Sequence, residues 1–452
     1  MIINFYHTND IHSNYSFLRK VHKFMMENKT ENDIYLDGGD YCDLMSVVVD
    51  SDKGESALDL LMECKLDLMG IGNNEIDLEF DSLSKLVNKY PMICSNLTDA
   101  NDKDIPGLKK SEILEKFGKK FLILSSAPYF DDKGEHGKYN KFFELGNLKT
   151  QDSIKSLKNE LNKYKGKYDY IIYLSHSGHI VDDMILKEIP EMDFIFGAHT
   201  HIIKNEGNYS MSGRGEALGK ISLDISGDKI KLIENKQIYL DEIENEKFDK
   251  LLGKKIKHAE NIMSKELLLN SELKFNPFEE NELINFICDA LMKYKKADLA
   301  IMHNGIAEND LVRPVSKKSL LKIFPSKLNP TIFPVKGINI KEAVKQSFDK
   351  KFITQSGKGA GFRGSVLGTL GFSKNVKVQK NPFNIFINNE LIDDEKYYKV
   401  ISDDYMQRGT WYKTICASDA DSKFYKYFIR DLVKIYLTDE ELFNSSKIKR
   451  IY

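Results

Sequence analysis

Residues 69–80 read MGIGNNEIDLEF. An apolar run stops at Gly72 and gives way at once to Asn73, Asn74, Glu75 and Asp77. A short apolar run closed by glycine and polar side chains is the pattern of a buried strand that ends in a turn. Taken alone it is an ordinary turn. The first half of the chain repeats the device, however. Strand-like runs finish on Asp10 and His12 in HTNDIH, on Asp40 in DGGD, on His176 in LSHSGH, and on His199 and His201 in GAHTH.

The runs themselves are IINFYHT, DIYLD, LMGIG, PMICSNL, FLILSSA, YDYIIYLSH and MDFIFGAH, separated by amphipathic stretches such as YSFLRKVHKFMMEN, SALDLLMECK and SIKSLKNELNKYK. Strands alternating with helices predict βαβ units and an α/β fold with a largely parallel or mixed sheet. In such sheets, sites form where strands end and loops begin. Residues two apart on an extended segment share a face, so Asp10/His12 and His199/His201 each offer two side chains to one place. Glycines 38, 39, 72 and 197 allow the turns that would bring them together.

With 452 residues, the chain exceeds one simple core and suits two domains of roughly 200–250 residues each. We expect a first domain over 1–240, a charged linking helix over 241–275, and a mixed α/β domain over 276–452 whose first helix starts at Asn276-Pro277. Charged residues make up 30% and the formal charge is −2, with both signs interspersed, so no basic face points to nucleic acid. Five scattered cysteines without CxxC spacing argue against a disulfide framework or a thiolate zinc site. The N-terminus is too quickly polar for a signal peptide and no apolar run reaches membrane-spanning length, which predicts a cytoplasmic protein. Its oligomeric state is left open.

Histidine and carboxylate donors without thiolates suit Mn, Fe, Zn, Co or Ni. Seven candidates (Asp10, His12, Asp40, Asn73, His176, His199 and His201) are too many for one tetrahedral ion and suit two ions sharing a carboxylate. Two divalent cations against Asp10 and Asp40 leave net positive charge, which attracts an anionic substrate. Such a site performs phosphoryl transfer to water.

The series HTNDIH, DGGD, GNNE, LSHSGH and GAHTH resembles the calcineurin-like metallophosphoesterases. With NGI and FRGSVLG segments further on, the chain is similar to the bifunctional UDP-sugar hydrolase/5′-nucleotidase family over nearly its whole length. The resemblance implies a β-sandwich flanked by helices, then a 5′-nucleotidase C-terminal domain that reads the substrate, a nucleotide or other phosphate ester. It also implies one metal on Asp10, His12, Asp40 and His201, and a second on Asp40, Asn73, His176 and His199.

Position 74 departs from the family's Gly-Asn-His-Asp/Glu pattern, although Gly-Asn-Asn-Glu resembles its cytoplasmic members. The family's histidine pairs with an aspartate, here Asp77, to assist the leaving group; Asn74 can donate a hydrogen bond but cannot deliver a proton. His179 is a weaker substitute acid. In the second half, the position of a family arginine falls on Ala307 or Glu308, and the family's FPFGN-like turn reads FPSKLNP. Phe362 and Tyr412 align with base-stacking rings, Trp411 lies beside Tyr412, and Arg363 and Arg408, with Lys327 behind them, are the remaining phosphate or carboxylate binders. The reading is therefore a dinuclear phosphohydrolase. A phosphodiesterase with the same metals and a catalytically impaired nucleotide-binding protein are its alternatives.

Overall fold

In the computed structural model of the protein, which describes every residue except 243, 358 and 360, the first-half strands assemble into two six-stranded sheets and a small pair, Leu97–Asp99 with Leu148–Thr150. From edge to edge one sheet runs Lys231–Ile238, Leu218–Asp224, Ile2–Thr8, Ile34–Asp37, Leu68–Gly70 and Met92–Ile93. Its last four strands are parallel, and Leu218–Asp224 adds antiparallel to Ile2–Thr8. The other runs Ile203–Glu206, Tyr209–Ser212, Phe194–Phe196, Tyr170–Ser175, Lys119–Ser126 and Ser111–Lys116, with a parallel centre.

Side-chain alternation explains the layering. Ile3, Phe5, Ile34 and Leu36 meet Phe121, Ile123, Ile172, Leu174 and Phe196 between the sheets. Ile171 and Tyr173 point the other way, onto Leu157 and Leu161 of helix Ser153–Tyr164 and Val181 and Ile185 of helix His179–Glu188. A strand covered on both faces reads as an unbroken apolar run, which is why YIIYL shows no alternation in sequence. On the outer side of the first sheet, Tyr6 meets Phe24 of helix Tyr15–Asn28, rings 5.7 Å apart. That helix starts where predicted because Asn14 Oδ1 accepts the Phe17 N–H, 3.1 Å.

Asp182 is buried in the second layer, where Ser175 Oγ and the Tyr209 hydroxyl (2.8 Å) donate to it. Burial pushes its carboxyl up to about 7 despite those bonds. A folded value above the ordinary 3.8 means that its contribution to stability is full below that value and is lost as pH rises through about 7. Asp182→Asn is therefore expected to lose less stability than the parent between about pH 5 and about pH 8, read from urea midpoints.

The chain divides into two compact units, Met1–Glu260 and Asn261–Tyr452. Within the charged stretch 241–275, helix Glu246–Met263 forms, and its Phe248 packs on His22 while Lys255 bonds Asp59 at 2.5 Å. The next helix does not start at Asn276-Pro277. It runs Glu282–Tyr294, capped by Asn281 Oδ1 on Ile284 N, 3.0 Å, while the Asn276 carbonyl accepts from the amides of Asn281 and Asn304.

In the second unit a five-stranded sheet runs Leu370–Phe372, Leu299–His303, Tyr397–Asp403, Pro330–Lys336 and Lys423–Phe424. Ala300 and Met302 face helix Glu282–Tyr294, and Leu299 and Ile301 face Ile340 and Val344 of helix Gly337–Gln346. Near the C-terminus Arg450 is buried, with its guanidinium on Asp289, 2.7 Å. Among the described residues, no helix is long and apolar enough to cross a membrane.

Candidate metal centre

The opening stretch, Gly-Asn-Asn-Glu, is a clamp on the DGGD loop. Glu75 is buried and accepts four backbone N–H groups: Tyr41 (3.0 Å) and Cys42 (2.8 Å) on Oε1, Asp40 (2.8 Å) and Gly72 (3.0 Å) on Oε2. Asn74 donates its N–H to Asp40 Oδ1 and its side-chain amide to Asp40 Oδ2, each at 2.7 Å. Gly72 makes room for this: a Cβ there would lie 2.3 Å from Asp40 Oδ1. Gly39 is held at φ 93° and passes so close that its Cβ would meet Gly72 N at 2.6 Å. The two loops are thus fixed against each other by a carboxylate and two absent side chains.

Asp10, His12, Asp40 and His201 come together here, each offering a donor atom within 4.8 Å of the others. His12 Nε2 and His201 Nε2 are 3.1 Å apart, and Asp10 Oδ1 is 3.4 Å from His201 Nε2. Lone pairs this close repel unless a cation or a proton lies among them. On the other side of Asp40, Oδ1 is 3.3 Å from His176 Nε2, while Oδ2 is 3.8 Å from His12 Nε2. The carboxylate therefore has one oxygen toward each group of histidines.

Residues two apart were expected to converge by strand alternation. Asp10 and His12 converge instead through left-handed turns, with φ of 49° and 45°; φ is also positive at Asp40 (56°), His199 (78°) and His201 (56°), and His201 joins the four-residue cluster while His199 lies outside it. Single non-glycine residues adopt this conformation at a cost, and its recurrence at functional sites is well known.

Neighbouring groups fix the rings. His176 Nδ1 donates to the Gly38 carbonyl at 2.7 Å, which fixes the ring so that Nε2 is the atom facing Asp40. His12 Nδ1 lies 3.4 Å from Asp43 Oδ2, and Tyr139 OH lies 3.1 Å from His199 Nε2. Asn9 donates to Asp10 Oδ2 at 2.7 Å, as does the His199 N–H at 2.8 Å. Three buried atoms, Asp10 Oδ1, His176 Nε2 and Asn73 Oδ1, have no hydrogen-bond partner among the described residues. Buried polar atoms are seldom left so, and these are ligand types for divalent cations.

Charge asks for the same occupant. Burial works against the carboxylates of Asp10 and Asp40, yet the surrounding histidines hold both below the usual range. Burial likewise works against a charged His176, but Asp40 and Asp10 raise it to about 10. His199 goes the other way, to about 4, through burial and the neighbouring His176. Positive charge is favoured between the two aspartates, and the residues present fit a divalent metal there.

Residues 3–202 match the calcineurin-like phosphoesterase family and residues 255–413 the 5′-nucleotidase C-terminal domain. The chain is a calcineurin-like metallophosphoesterase with a 5′-nucleotidase C-terminal domain. It is a hydrolase. The metallophosphoesterase is 27% identical to the uncharacterized metallophosphoesterase YunD of Bacillus subtilis (strain 168), a match covering 95% of this chain and 98% of YunD. Its fold is similar to that of a structure assigned as a 5′-nucleotidase from Staphylococcus aureus (TM-score 0.67, 15% identity, 100% of this chain and 99% of that one). The Haemophilus influenzae NAD nucleotidase is similar too (TM-score 0.66, 15% identity, 97% and 96%).

Other predicted site residues of the metallophosphoesterase lie in different settings. Asn74 is 3% exposed with its amide turned inward onto Asp40, so it does not present that donor to a phosphoryl group. Asp77 is part-buried at the end of the short helix Asn73–Ile76, and its N–H bonds the Asn73 carbonyl. His179 Nδ1 lies 2.9 Å from Thr200 Oγ1.

In the C-terminal domain, Phe362 and Tyr412 are not surface rings. Phe362 stacks on Tyr405 at 4.9 Å and is 4% exposed, and Tyr412 is 1% exposed with its hydroxyl on the Gly368 carbonyl. Alignment with base-stacking rings suggested exposure, but packing against aromatic partners releases more free energy than leaving those rings in water. Trp411 is part-buried against the same cores. Arg363 is exposed, with Nη1 on the Phe362 carbonyl; Arg408 is exposed but pairs with Asp404 at 3.1 Å. Lys327 is part-buried, its N–H on the Gly361 carbonyl.

Sequence reading missed Glu75, Asn9, Asp43 and Tyr139 as parts of the centre. Asn9 and Glu75 stand inside the motifs and were open to notice. Tyr139 has no local signal, since it reaches His199 from a loop 60 residues upstream in the chain.

Proposed function

We propose that the protein hydrolyses phosphate anhydrides and activated phosphate esters of nucleotides or their derivatives, as a UDP-sugar hydrolase/5′-nucleotidase-like enzyme. Asp10, His12, Asp40 and His201 would hold one divalent cation, and Asp40, Asn73, His176 and His199 a second. The observation that carries this reading is Asp40, whose two oxygens face two separate groups of histidines. Divalent cations in those positions would supply Lewis acidity and activate water toward phosphorus.

The chain's own residues do the rest. Glu75 and Asn74 hold Asp40 in one orientation, His176 is turned with Nε2 toward Asp40 by donating from Nδ1 to Gly38, and Asp10 is fixed by Asn9 and the His199 N–H. A centre of two +2 ions and two buried aspartates retains positive charge, which favours a phosphoryl anion.

Asn74 does not titrate near neutral pH and is engaged with Asp40, so a poor leaving group gets no proton from it. General-acid help is worth about 10²–10⁴-fold. Bonds whose leaving group is itself acidic, such as an anhydride or aryl ester, depend on it least. Burial of Phe362 and Tyr412 agrees with recognition that rests on phosphate more than on stacking against those rings.

The test uses metal-stripped protein reloaded with Mn and assayed on bis-p-nitrophenyl phosphate, p-nitrophenyl phosphate, UDP-glucose and AMP. Mn-dependent turnover is expected, with kcat/KM on AMP about a hundredfold below that on UDP-glucose. AMP as the best substrate would overturn the leaving-group argument. No turnover of any of the four with Mn bound would overturn the proposal itself.

A further inference from the structure

Asp182 is a buried acid that the proposed reaction leaves unused, and it lies where two loops of histidines meet. Ser175 Oγ donates to its Oδ1 and the Tyr209 hydroxyl to its Oδ2, the latter at 2.8 Å. Each donor leads to one loop. Ser175 Oγ also accepts the Ser177 N–H at 3.0 Å, so the residues on either side of His176 are tied to one carboxylate. Between them, the His176 N–H donates to the Ser126 carbonyl at 2.9 Å. Tyr209 carries the tie onward to GAHTH. Its hydroxyl sits so close to Gly197 that a Cβ there would run into it, and the Gly197 N–H donates to the Ser210 carbonyl at 2.8 Å. The loops also touch directly. A Cβ on Gly178 would lie 3.0 Å from Thr200 Cγ2, and His179 Nδ1 is 2.9 Å from Thr200 Oγ1. The rings of His176 and His199 are 5.3 Å apart.

We propose that Asp182, through Ser175 and Tyr209, is a positioning residue that holds His176 and His199 where one cation can take both. The inference rests on the two-cation reading. Asp182 does for LSHSGH and GAHTH what Glu75 does for DGGD and GNNE, since in each case one buried carboxylate accepts from groups that belong to, or bear on, two ligand loops. Packing does not call for an acid there. The helix that carries it, His179–Glu188, otherwise packs through Val181 and Ile185 into an apolar cluster with Tyr173 and Met211. A carboxylate in such a layer costs desolvation, whereas hydrogen bonds to a charged acceptor are stronger and more directional than apolar contact. Fixing the two loops is the use that this geometry supplies for it.

The test is Mn titration of the metal-stripped full-length protein, of Tyr209→Phe and of Asp182→Ala, with the spin-coupled Mn pair read by electron paramagnetic resonance. Circular dichroism and urea midpoints accompany it, because a merely structural role would lower the midpoint and leave Mn binding by the folded protein unchanged. Phenylalanine keeps the ring of residue 209 and removes only the hydroxyl, so that variant reports even where Asp182→Ala does not fold. The coupled pair is expected to need about tenfold more Mn in Tyr209→Phe, the lower end of what losing a group that supports a ligand costs. A pair that forms at the parent's Mn concentration in Tyr209→Phe would overturn the inference and leave Asp182 as part of the core. Absence of a coupled pair in the parent at saturating Mn would instead overturn the two-cation reading, and the inference with it.

Discussion

Asp40→Asn is expected to lower kcat/KM by about a thousandfold or more and to strip the protein of bound metal. A bridging carboxylate whose loss removes several kcal/mol of charge stabilisation accounts for that size, since each 1.36 kcal/mol is worth about tenfold. Geometry adds to the electrostatic loss. Asn74 donates once to each oxygen of Asp40, so an asparagine with a single oxygen would set one of those donors against an amide N–H. His176 Nε2 would in turn lose the carboxylate 3.3 Å away. The measurement is metal content by mass spectrometry alongside turnover on p-nitrophenyl phosphate, with circular dichroism to confirm folding. Retained metal and activity within tenfold of the parent would show that Asp40 is no shared ligand.

The second large effect falls on stability. Glu75→Ala leaves the N–H groups of Asp40, Tyr41, Cys42 and Gly72 without their acceptor, in a part of the protein where Asp40, Tyr41 and Cys42 are almost wholly buried. Each unsatisfied buried donor costs about 1–3 kcal/mol, and water entering the space left by the side chain offsets part of it. A loss of about 4 kcal/mol is expected from denaturant midpoints of the metal-free protein. Glu75→Gln keeps one accepting oxygen and should fall between alanine and the parent. An unchanged midpoint for the alanine variant would mean that the loop is held without the carboxylate.

How far these features could be read from sequence follows from where each signal lies. The central strands were legible because covered strands are apolar throughout, as in YIIYL and FIF. Helix Tyr15–Asn28 was legible from its amphipathic period, while its Asn14 cap emerged only in the structure. The seven polar side chains at strand ends stood out because each interrupts such a run. The convergence of Asp10, His12, Asp40 and His201 was predicted for the wrong local reason, since strand alternation does not describe residues with φ near 50°. Helix Glu282–Tyr294 was misplaced at its start because a proline following asparagine looked like a cap, while the capping side chain belongs to Asn281. Phe362 and Tyr412 show the limit of motif position: glycine neighbours say that the backbone turns there, and say nothing about which way a ring points. Tyr139 was out of reach, because its partner is set by the tertiary path of a loop without periodicity.

The left-handed residues of the centre also bear on how a substitution at one of them spreads to the others. Asp10, His12, Asp40, His199 and His201 each sit in a conformation that the free chain avoids, by about 1 kcal/mol or more per residue. What keeps them there is mutual: Asp10 N bonds Gly39 O, His12 N bonds Asp40 O, and His199 N bonds Asp10 Oδ2. Losing one ligand therefore relaxes the backbone of its neighbours as well. A substitution at Asp10 that removes Oδ2 is therefore expected to loosen the turn at His199 as well as to cost its own donor atom.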